Sequence, residues 1–391
     1  MHFKHPLEIP KSSKISFEWT SQRTACSVKG IHGDTHPMTW AVDDQMYMSA
    51  GDPNFAYLDG QFRHVPWSEA NDNQELYQRI GGVDVERLTG YGENFGVEQI
   101  NTMPGLIGGG GNGAKPSGMI SVKGSLYLAV QNLLGSKPPA NRPASQHATD
   151  ATILRSDDFG KNWYPDIQTG LIEMEAQHYD RKGWKWRTKP EERTEWKGWK
   201  PMFPGALFGG PSFVQFGKDN SEALYAFVYA ISSDQWDNGS NLRLGRVHQD
   251  RILDEKAWEW AVPNGNDTVV WVNRLEDSGP VLTLDGHLGL PEMVYIPNLK
   301  CYLLLTWGLH NDFNVDKGSE LTILASQNPW GPFGLVYYEE IWDSIDICPY
   351  CPRIPLKWFN TTSLTGWLLH SGSWHTVDYY KPFVKSFRLI V

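Results

Sequence analysis

An all-β fold follows from three features of the sequence. Aromatic residues are abundant, with 18 Trp, 16 Tyr and 16 Phe among 391 residues, and turn formers are plentiful, with 38 Gly and 25 Pro. No long stretch carries a helical apolar period. Pairs of short apolar runs joined by polar turns recur instead, most of them led by a proline. The first pair is 38–42 and 46–50, joined around Asp43 and Asp44. The second follows Pro116, with 117–122 and 126–130 about a Lys123-Gly124 turn. The third follows Pro211 (212–216 and 223–229), the fourth Pro291 (292–296 and 302–307), the fifth Pro355 (356–359 and 366–370). Strand-like runs at 151–155, 242–247, 321–325 and 384–390 come after most of these hairpins.

Five repeats of a hairpin with outer strands describe a five-bladed β-propeller. The intervals between Pro37, Pro116, Pro211, Pro291 and Pro352 exceed a bare four-stranded blade, so long loops must decorate one face. Six or seven blades stay open if runs such as 83–88 belong to further blades. Phe17-Glu18-Trp19 is placed to complete the last blade, since closing the ring removes an exposed sheet edge. The chain, 1–391, is then one propeller domain with a Trp-rich insertion at about 171–205.

Composition narrows the partners. A net charge of −10 argues against nucleic acid, which needs a basic face. No apolar run reaches the ~18 residues of a membrane-spanning helix, so no membrane partner is expected. The first residues, Met1 to Pro6, lack the apolar core of a signal peptide, which suits an intracellular protein or a mature secreted or periplasmic form. Sequons at Asn238, Asn266 and Asn360 matter only in a secreted eukaryotic protein. Cys348-Pro349-Tyr350-Cys351 has the spacing of half a zinc site, but no second pair completes it, so these cysteines read as buried structural thiols. No metal or other cofactor is expected, with a structural or central calcium ion left open.

Two further motifs carry no catalytic residue. Ser156-Asp157-Asp158-Phe159-Gly160-Lys161-Asn162-Trp163 is an Asp-box, whose Ser and Asp cap a tight turn while its Trp packs inward. The glycine run from Gly108 to Lys115 resembles a phosphate loop, but Pro116 and a strand follow the lysine where a phosphate site needs a helix. A loop on the active face fits it better.

The chemistry centres on the first hairpin. A hairpin brings its open ends together, so Asp34, before the first strand, and Asp52, after the second, share a rim. A three-residue turn centred on Asp43 pairs them directly and a two-residue turn diagonally. Paired carboxylates are what glycosidic cleavage needs, one to give a proton and one to activate water or attack. The same residues beside Gly and Pro are also ordinary turn formers. Glu292 is a possible third carboxylate. Lys115, Arg353 and Lys357 begin inner strands, where they can hold sugar hydroxyls or tune a carboxylate. Trp40 is a further sugar-binding candidate. His36, His287, His310, His370 and His375 fall near the same rim; with Arg353 or Lys115 and a Tyr acid, one of them could serve a polysaccharide lyase acting on a uronate. They could equally hydrogen-bond sugars or loops. From Tyr179 to Lys200, Trp184, Trp186, Trp196 and Trp199 lie among charged residues. That segment reads either as a solvated or packed excursion or as a cleft wall stacking on sugars.

With the repeats placed, the chain resembles the propeller family of domain of unknown function 4185, some members of which are endo-D-arabinanases of glycoside hydrolase family 183. The matching features run from about Gly33 to Leu389. They are Asp34-Thr35 with Pro37, Thr39 and Trp40; Gly51-Asp52; Lys115-Pro116-Ser117-Gly118; the Asp-box; and Pro211 to Lys218. Arg246-Val247, Asp250-Arg251-Ile252, Pro329-Trp330-Gly331-Pro332, Lys357-Trp358 and Phe387-Arg388-Leu389 complete the set. The resemblance implies a five-bladed propeller with a central sugar cleft and places the family's catalytic acids on Asp34 and Asp52. By analogy with other five-bladed hydrolases, Asp34 lies nearest the axis and takes the base or nucleophile role. His36 stands where a Trp is expected, and His287, Glu292 and His370 also depart from the family's pattern, so D-arabinan specificity does not carry over. The expectation is a glycoside hydrolase acting on a polysaccharide or oligosaccharide, with a lyase and a non-catalytic glycan-binding propeller as alternatives.

Overall fold

The computed structural model describes residues 1–27, 31–70, 73–104, 106, 114–132, 148–167, 201–233, 236–265, 267–311, 314–376 and 378–391. The described residues form antiparallel meanders. The first comprises Met38–Trp40, Met46–Met48, Val85–Thr89 and Gly96–Asn101; the second, Lys115–Val122, Ser125–Gln131 and Thr152–Ser156. The third is Gly209–Gln215, Tyr225–Ile231, Gly239–His248 and Leu282–Leu288, and the fourth Glu292–Ile296, Cys301–Asn311, Asn314–Ser326 and Gly334–Glu339. The fifth is Tyr350–Arg353, Thr365–Ser371 and Phe383–Ile390, completed by Ser16–Trp19 from the other end of the chain.

Burial grades outward along each meander. Every residue of Lys115–Val122, Gly209–Gln215 and Tyr350–Arg353 is buried, as befits strands covered on both faces. The last strands, Gly334–Glu339 and Phe383–Ile390, have exposed or half-exposed positions. First strands touch in chain order: Met38–Trp40 against Lys115–Val122, that against Gly209–Gln215, then Glu292–Ile296, then Tyr350–Arg353. The third and fourth are joined by a short parallel pairing, Val214 with Met293 and Gln215 with Val294. Arg353 then reaches Thr35 at the start of the first meander, donating from Nε to its carbonyl at 3.0 Å. The arrangement is all-β and β-propeller-like.

The closing strand lies where the sequence puts it. Ser16–Trp19 pairs with Phe383–Ile390, and Phe17 stacks on Phe387 with centroids 5.0 Å apart. The Asp-box is likewise structural: Ser156 Oγ accepts from Gly160 N at 2.8 Å, Asp158 Oδ1 accepts from Asn162 N at 2.9 Å, and the buried Trp163 donates from Nε1 to Gly160 O at 2.9 Å. All four cysteines are buried, and none is in a disulfide among the described residues.

Other expectations are corrected. Residues 356–359 are not a strand: Leu356–Trp358 is a 3-10 turn, and the first strand of the fifth meander, Tyr350–Arg353, precedes Pro355. Proline cannot donate to a ladder, and here it opens the turn instead. The run 83–88 splits between two elements and founds no further meander. Val85–Thr89 is the third strand of the first meander, while Ile80–Val83 joins Gly51–Leu58 and Gln61–His64 in a small sheet the sequence did not signal. At the end of the expected Trp-rich insertion, residues 201–205 lie against the second meander. Phe203 bridges to Ala151 and packs on Phe208 and Trp258, at 5.3 and 5.4 Å between centroids. The rest of that insertion, with Trp184, Trp186, Trp196 and Trp199, and the glycine run 108–113 lie outside the described residues. Among the described residues no helix is long and apolar enough to cross a membrane.

Candidate active site

The first hairpin sets the site. Ala41 N donates to Gln45 O at 2.8 Å and Asp44, at φ +66°, closes a three-residue turn centred on Asp43. Trp40 therefore faces Met46 and Met38 faces Met48, a register that would set Asp34 opposite Asp52. The ladder slips by one residue before it gets there. Asp34 bridges Gly51 instead, through two N–H to O bonds of 2.9 Å. Thr35 and His36 cause the slip by taking left-handed backbone, at φ +62° and +39°, and Asp52 does the same at +51°. Each such residue costs on the order of 1–2 kcal/mol, an expense that concentrates at functional sites. Gly51 makes the close approach possible, because a Cβ there would meet Asp34 Oδ1 at 2.6 Å and Lys115 Cδ at 3.3 Å.

Three other segments converge on this rim. Lys115, 2% exposed, opens the second meander and forms an ion pair with the Asp52 carboxylate. Tyr350, from the fifth meander, donates its hydroxyl to Asp34 Oδ2 at 3.2 Å. Tyr380 donates its hydroxyl to Gly51 O at 3.4 Å, close enough to act on the same carboxyl. Burial pushes the Asp34 carboxyl up to about 7; the Lys115 charge opposes the shift, Asp52 adds to it, and the two tyrosine hydroxyls oppose it. Among the described residues, Oδ1 of Asp34 and Oδ1 of Asp52 are buried without a hydrogen-bond partner.

Behind the pair sits a second buried layer. Arg353 donates from Nε to Thr35 O at 3.0 Å and from Nη1 to Pro291 O at 2.9 Å, and its Nη2 has no partner among the described residues. Glu292 accepts from Ile354 N, and burial raises its carboxyl to about 8 against the pull of Arg353. His36 and His370 are fully buried and pushed down to about 3, chiefly by burial, so both imidazoles are neutral. His370 lies under Trp342, at 5.1 Å between ring centroids.

The remaining candidates fall elsewhere. Trp40 donates to Asp44 Oδ1 at 2.9 Å, and Lys357 pairs with the same carboxylate at 3.3 Å, so both sit at the turn end of the hairpin, away from Asp34. His287 contacts buried Glu320 at the junction of the third and fourth meanders, beside His5. His310 contacts Glu340 O. Trp184 and Trp199 are outside the described residues. Tyr350 and Tyr380 were missed by sequence reasoning; Tyr350 stood inside the Cys348-x-x-Cys351 motif, where the thiols drew attention. Buried Asp237 was missed too, and it shares with Asp34 an electrostatic influence on Cys351. Among the described residues no three His, Cys, Asp or Glu side chains group to hold a metal ion. A cavity of about 670 Å³, lined by Ile15, Leu299, Cys301, Ala325 and Phe333, includes neither Asp34, Asp52 nor Lys115.

No protein-family model matches the chain. No curated protein matches it either. Solved structures do. A candidate hydrolase from Bacteroides ovatus superposes with a TM-score of 0.50 at 10% identity, over 94% of this chain and 87% of that one. The chain shares that fold. An α-L-arabinofuranosidase from Podospora anserina gives a TM-score of 0.46 at 10% identity, over 97% of this chain and 98% of that one. A family 117 glycoside hydrolase from Zobellia galactanivorans gives 0.43 at 11%, over 96% and 90%. Likeness at this level of identity is likeness of fold, and chemistry has to be argued from the rim itself.

Proposed function

We propose that the chain is a glycoside hydrolase: one five-bladed propeller domain that cleaves a polysaccharide or oligosaccharide with Asp34 and Asp52. The observation that carries the reading is the pair itself. Two carboxyls meet at adjacent strand ends, one holding its proton to about pH 7 and the other paired with a buried lysine. Asp34 is then the general acid. Its proton passes to the glycosidic oxygen as the bond from that oxygen to the anomeric carbon breaks, and Asp52 attacks that carbon or takes the proton of an attacking water. This reverses the assignment by analogy, which gave Asp34 the base or nucleophile role. Burial beside a second carboxylate suits a proton donor.

Five meanders with first strands in a ring support the blade count. The family 183 resemblance puts the catalytic acids on Asp34 and Asp52, and the fold is shared with a candidate hydrolase. A lyase finds less support. It needs a base and a cation that reach the uronate, but His36 and His370 are fully buried, Lys115 is paired with Asp52, and Arg353 is buried with two nitrogens on carbonyls.

The test is a polysaccharide panel read for reducing ends and for the ultraviolet band of unsaturated uronates. Reducing ends without that band support the hydrolase. The band supports the lyase, and glycan binding with neither signal supports a lectin-like propeller.

A further inference from the structure

Three meanders meet around one buried guanidinium. Arg353 ends Tyr350–Arg353, the first strand of the fifth meander, and is 1% exposed. Its Nε and Nη1 hold backbone on two sides, Thr35 O ahead of the first meander and Pro291 O ahead of the fourth. Its Nη2 is buried without a hydrogen-bond partner, and the guanidinium forms no ion pair among the described residues. The Thr35 hydroxyl is buried and unpartnered too. Arg353 bonds the carbonyl of that same residue, so both orphaned donors belong to one contact between the fifth meander and the first.

A guanidinium does not lose its charge in a protein, and a buried charge is normally paired. The ionisable neighbours do not cancel this one. Burial holds the Glu292 carboxyl neutral up to about pH 8, even against the pull of Arg353. Burial also keeps the Cys351 thiol protonated and the His36 imidazole uncharged. Asp52 is paired with Lys115, and Asp34 holds its proton to about pH 7. Water would satisfy the two donors and leave the charge standing. An anion satisfies them and cancels it. Thr35 and His36 also keep left-handed backbone here, at φ +62° and +39°, strain of the kind that persists at binding sites.

We infer that Arg353 Nη2 and the Thr35 hydroxyl bind a small monovalent anion, chloride under ordinary conditions, where the first, fourth and fifth meanders meet. Chloride carries one charge to match one guanidinium and accepts from every donor around it. Phosphate brings more charge and more acceptor oxygens than these two groups satisfy. The bound ion ties Thr35, the neighbour of Asp34, to Arg353 by its side chain as well as its carbonyl. The inference does not rest on the hydrolase reading; a propeller that only binds glycans would need the ion equally.

The test follows thermal unfolding of the full chain near neutral pH, at constant ionic strength, as sodium chloride replaces sodium gluconate. The melting temperature should rise with chloride and level off on a logarithmic scale only as the salt is exhausted, as for a ligand that binds the folded state alone. Thr35→Val keeps the branched shape and removes the hydroxyl. In gluconate it should melt no lower than the parent, because the hydroxyl it loses has no partner. In chloride it should melt below the parent, with Kd for chloride raised about tenfold. Crystals of the parent grown in sodium bromide should show an anomalous peak within hydrogen-bond reach of Arg353 Nη2. An ion held too tightly to exchange would appear instead as stoichiometric chloride released when gel-filtered protein is denatured. Melting that ignores chloride, with no such release and no bromide peak beside Nη2, overturns the inference and leaves water on these donors. A chloride response equally strong in Thr35→Val, or bromide bound only elsewhere, overturns it as well. None of these outcomes touches the polysaccharide panel, so the hydrolase reading stands or falls separately.

Discussion

Asp34 and Asp52 differ only in their surroundings, and those surroundings separate their roles. Asp34→Asn or Asp52→Asn should each cut turnover by at least ~10²-fold, the usual loss on removing a positioned acid or base. The double variant should lose less free energy than the sum of the singles, because the two act as one unit. Steady-state kinetics on the best panel substrate checks both, and full activity in a folded Asp34→Asn protein would end the carboxylate-pair mechanism. The acid role also sets a sign in pH. Activity should fall as pH rises through about 7 and Asp34 loses its proton. Tyr350 donates to the ionised carboxylate and so holds that value down; Tyr350→Phe should move the falling limb of kcat/KM to higher pH. A limb that stays in place would remove Asp34 from the acid role.

At the scale of elements, local chemistry decides turns and caps. The Asp-box works through Ser156 Oγ, which accepts from Gly160 N and donates to Asp158 Oδ1 at 2.8 Å each. Ser156→Ala leaves those groups short of a partner and should cost about 1–2 kcal/mol. Denaturant midpoints should drop while activity per folded molecule stays level; a loss of specific activity would mean the motif reaches the site. The start of the fourth meander has its own signature. Glu292 is raised from its ordinary value to about 8, so its contribution to stability is complete at pH below about 4.5 and lost as pH climbs through 8. Glu292→Gln keeps the acceptor for Ile354 N without the charge. Its melting temperature should match the parent near pH 5 and exceed it by several degrees at pH 8.5, and parallel profiles would place the charge elsewhere.

At the scale of the molecule, closure depends on one strand that crosses nearly the whole sequence. Phe17 lies between Trp19, Tyr337 and Phe387, at 4.8, 4.9 and 5.0 Å between centroids, and is 8% exposed. Phe17→Ala should cost about 3–5 kcal/mol, as for other buried aromatics, and loosen the seam between the fourth and fifth meanders. Hydrogen exchange should then rise first at Phe383–Ile390, the strand that Ser16–Trp19 covers. Uniform exchange would mean that the seam opens only with the whole fold.

The sequence by itself determined what short-range chemistry encodes: the first four hairpins and their polar turns, the Asp-box, the closing strand, and the shared rim of Asp34 and Asp52. Each rests on residues within a turn or on strand patterning, which a linear reading can see. Only the tertiary structure decided what the rim contains. The one-residue slip at Thr35 and His36, the ion pair from Lys115, and the hydroxyl of Tyr350, 316 positions from Asp34, all depend on how separate meanders pack. Lys357 and Trp40 looked equally suited to the rim, yet the direction of their elements carries them to the opposite end. Burial, which raises Asp34 toward neutrality and silences His36, belongs to no local stretch; it exists only once distant segments have excluded water together.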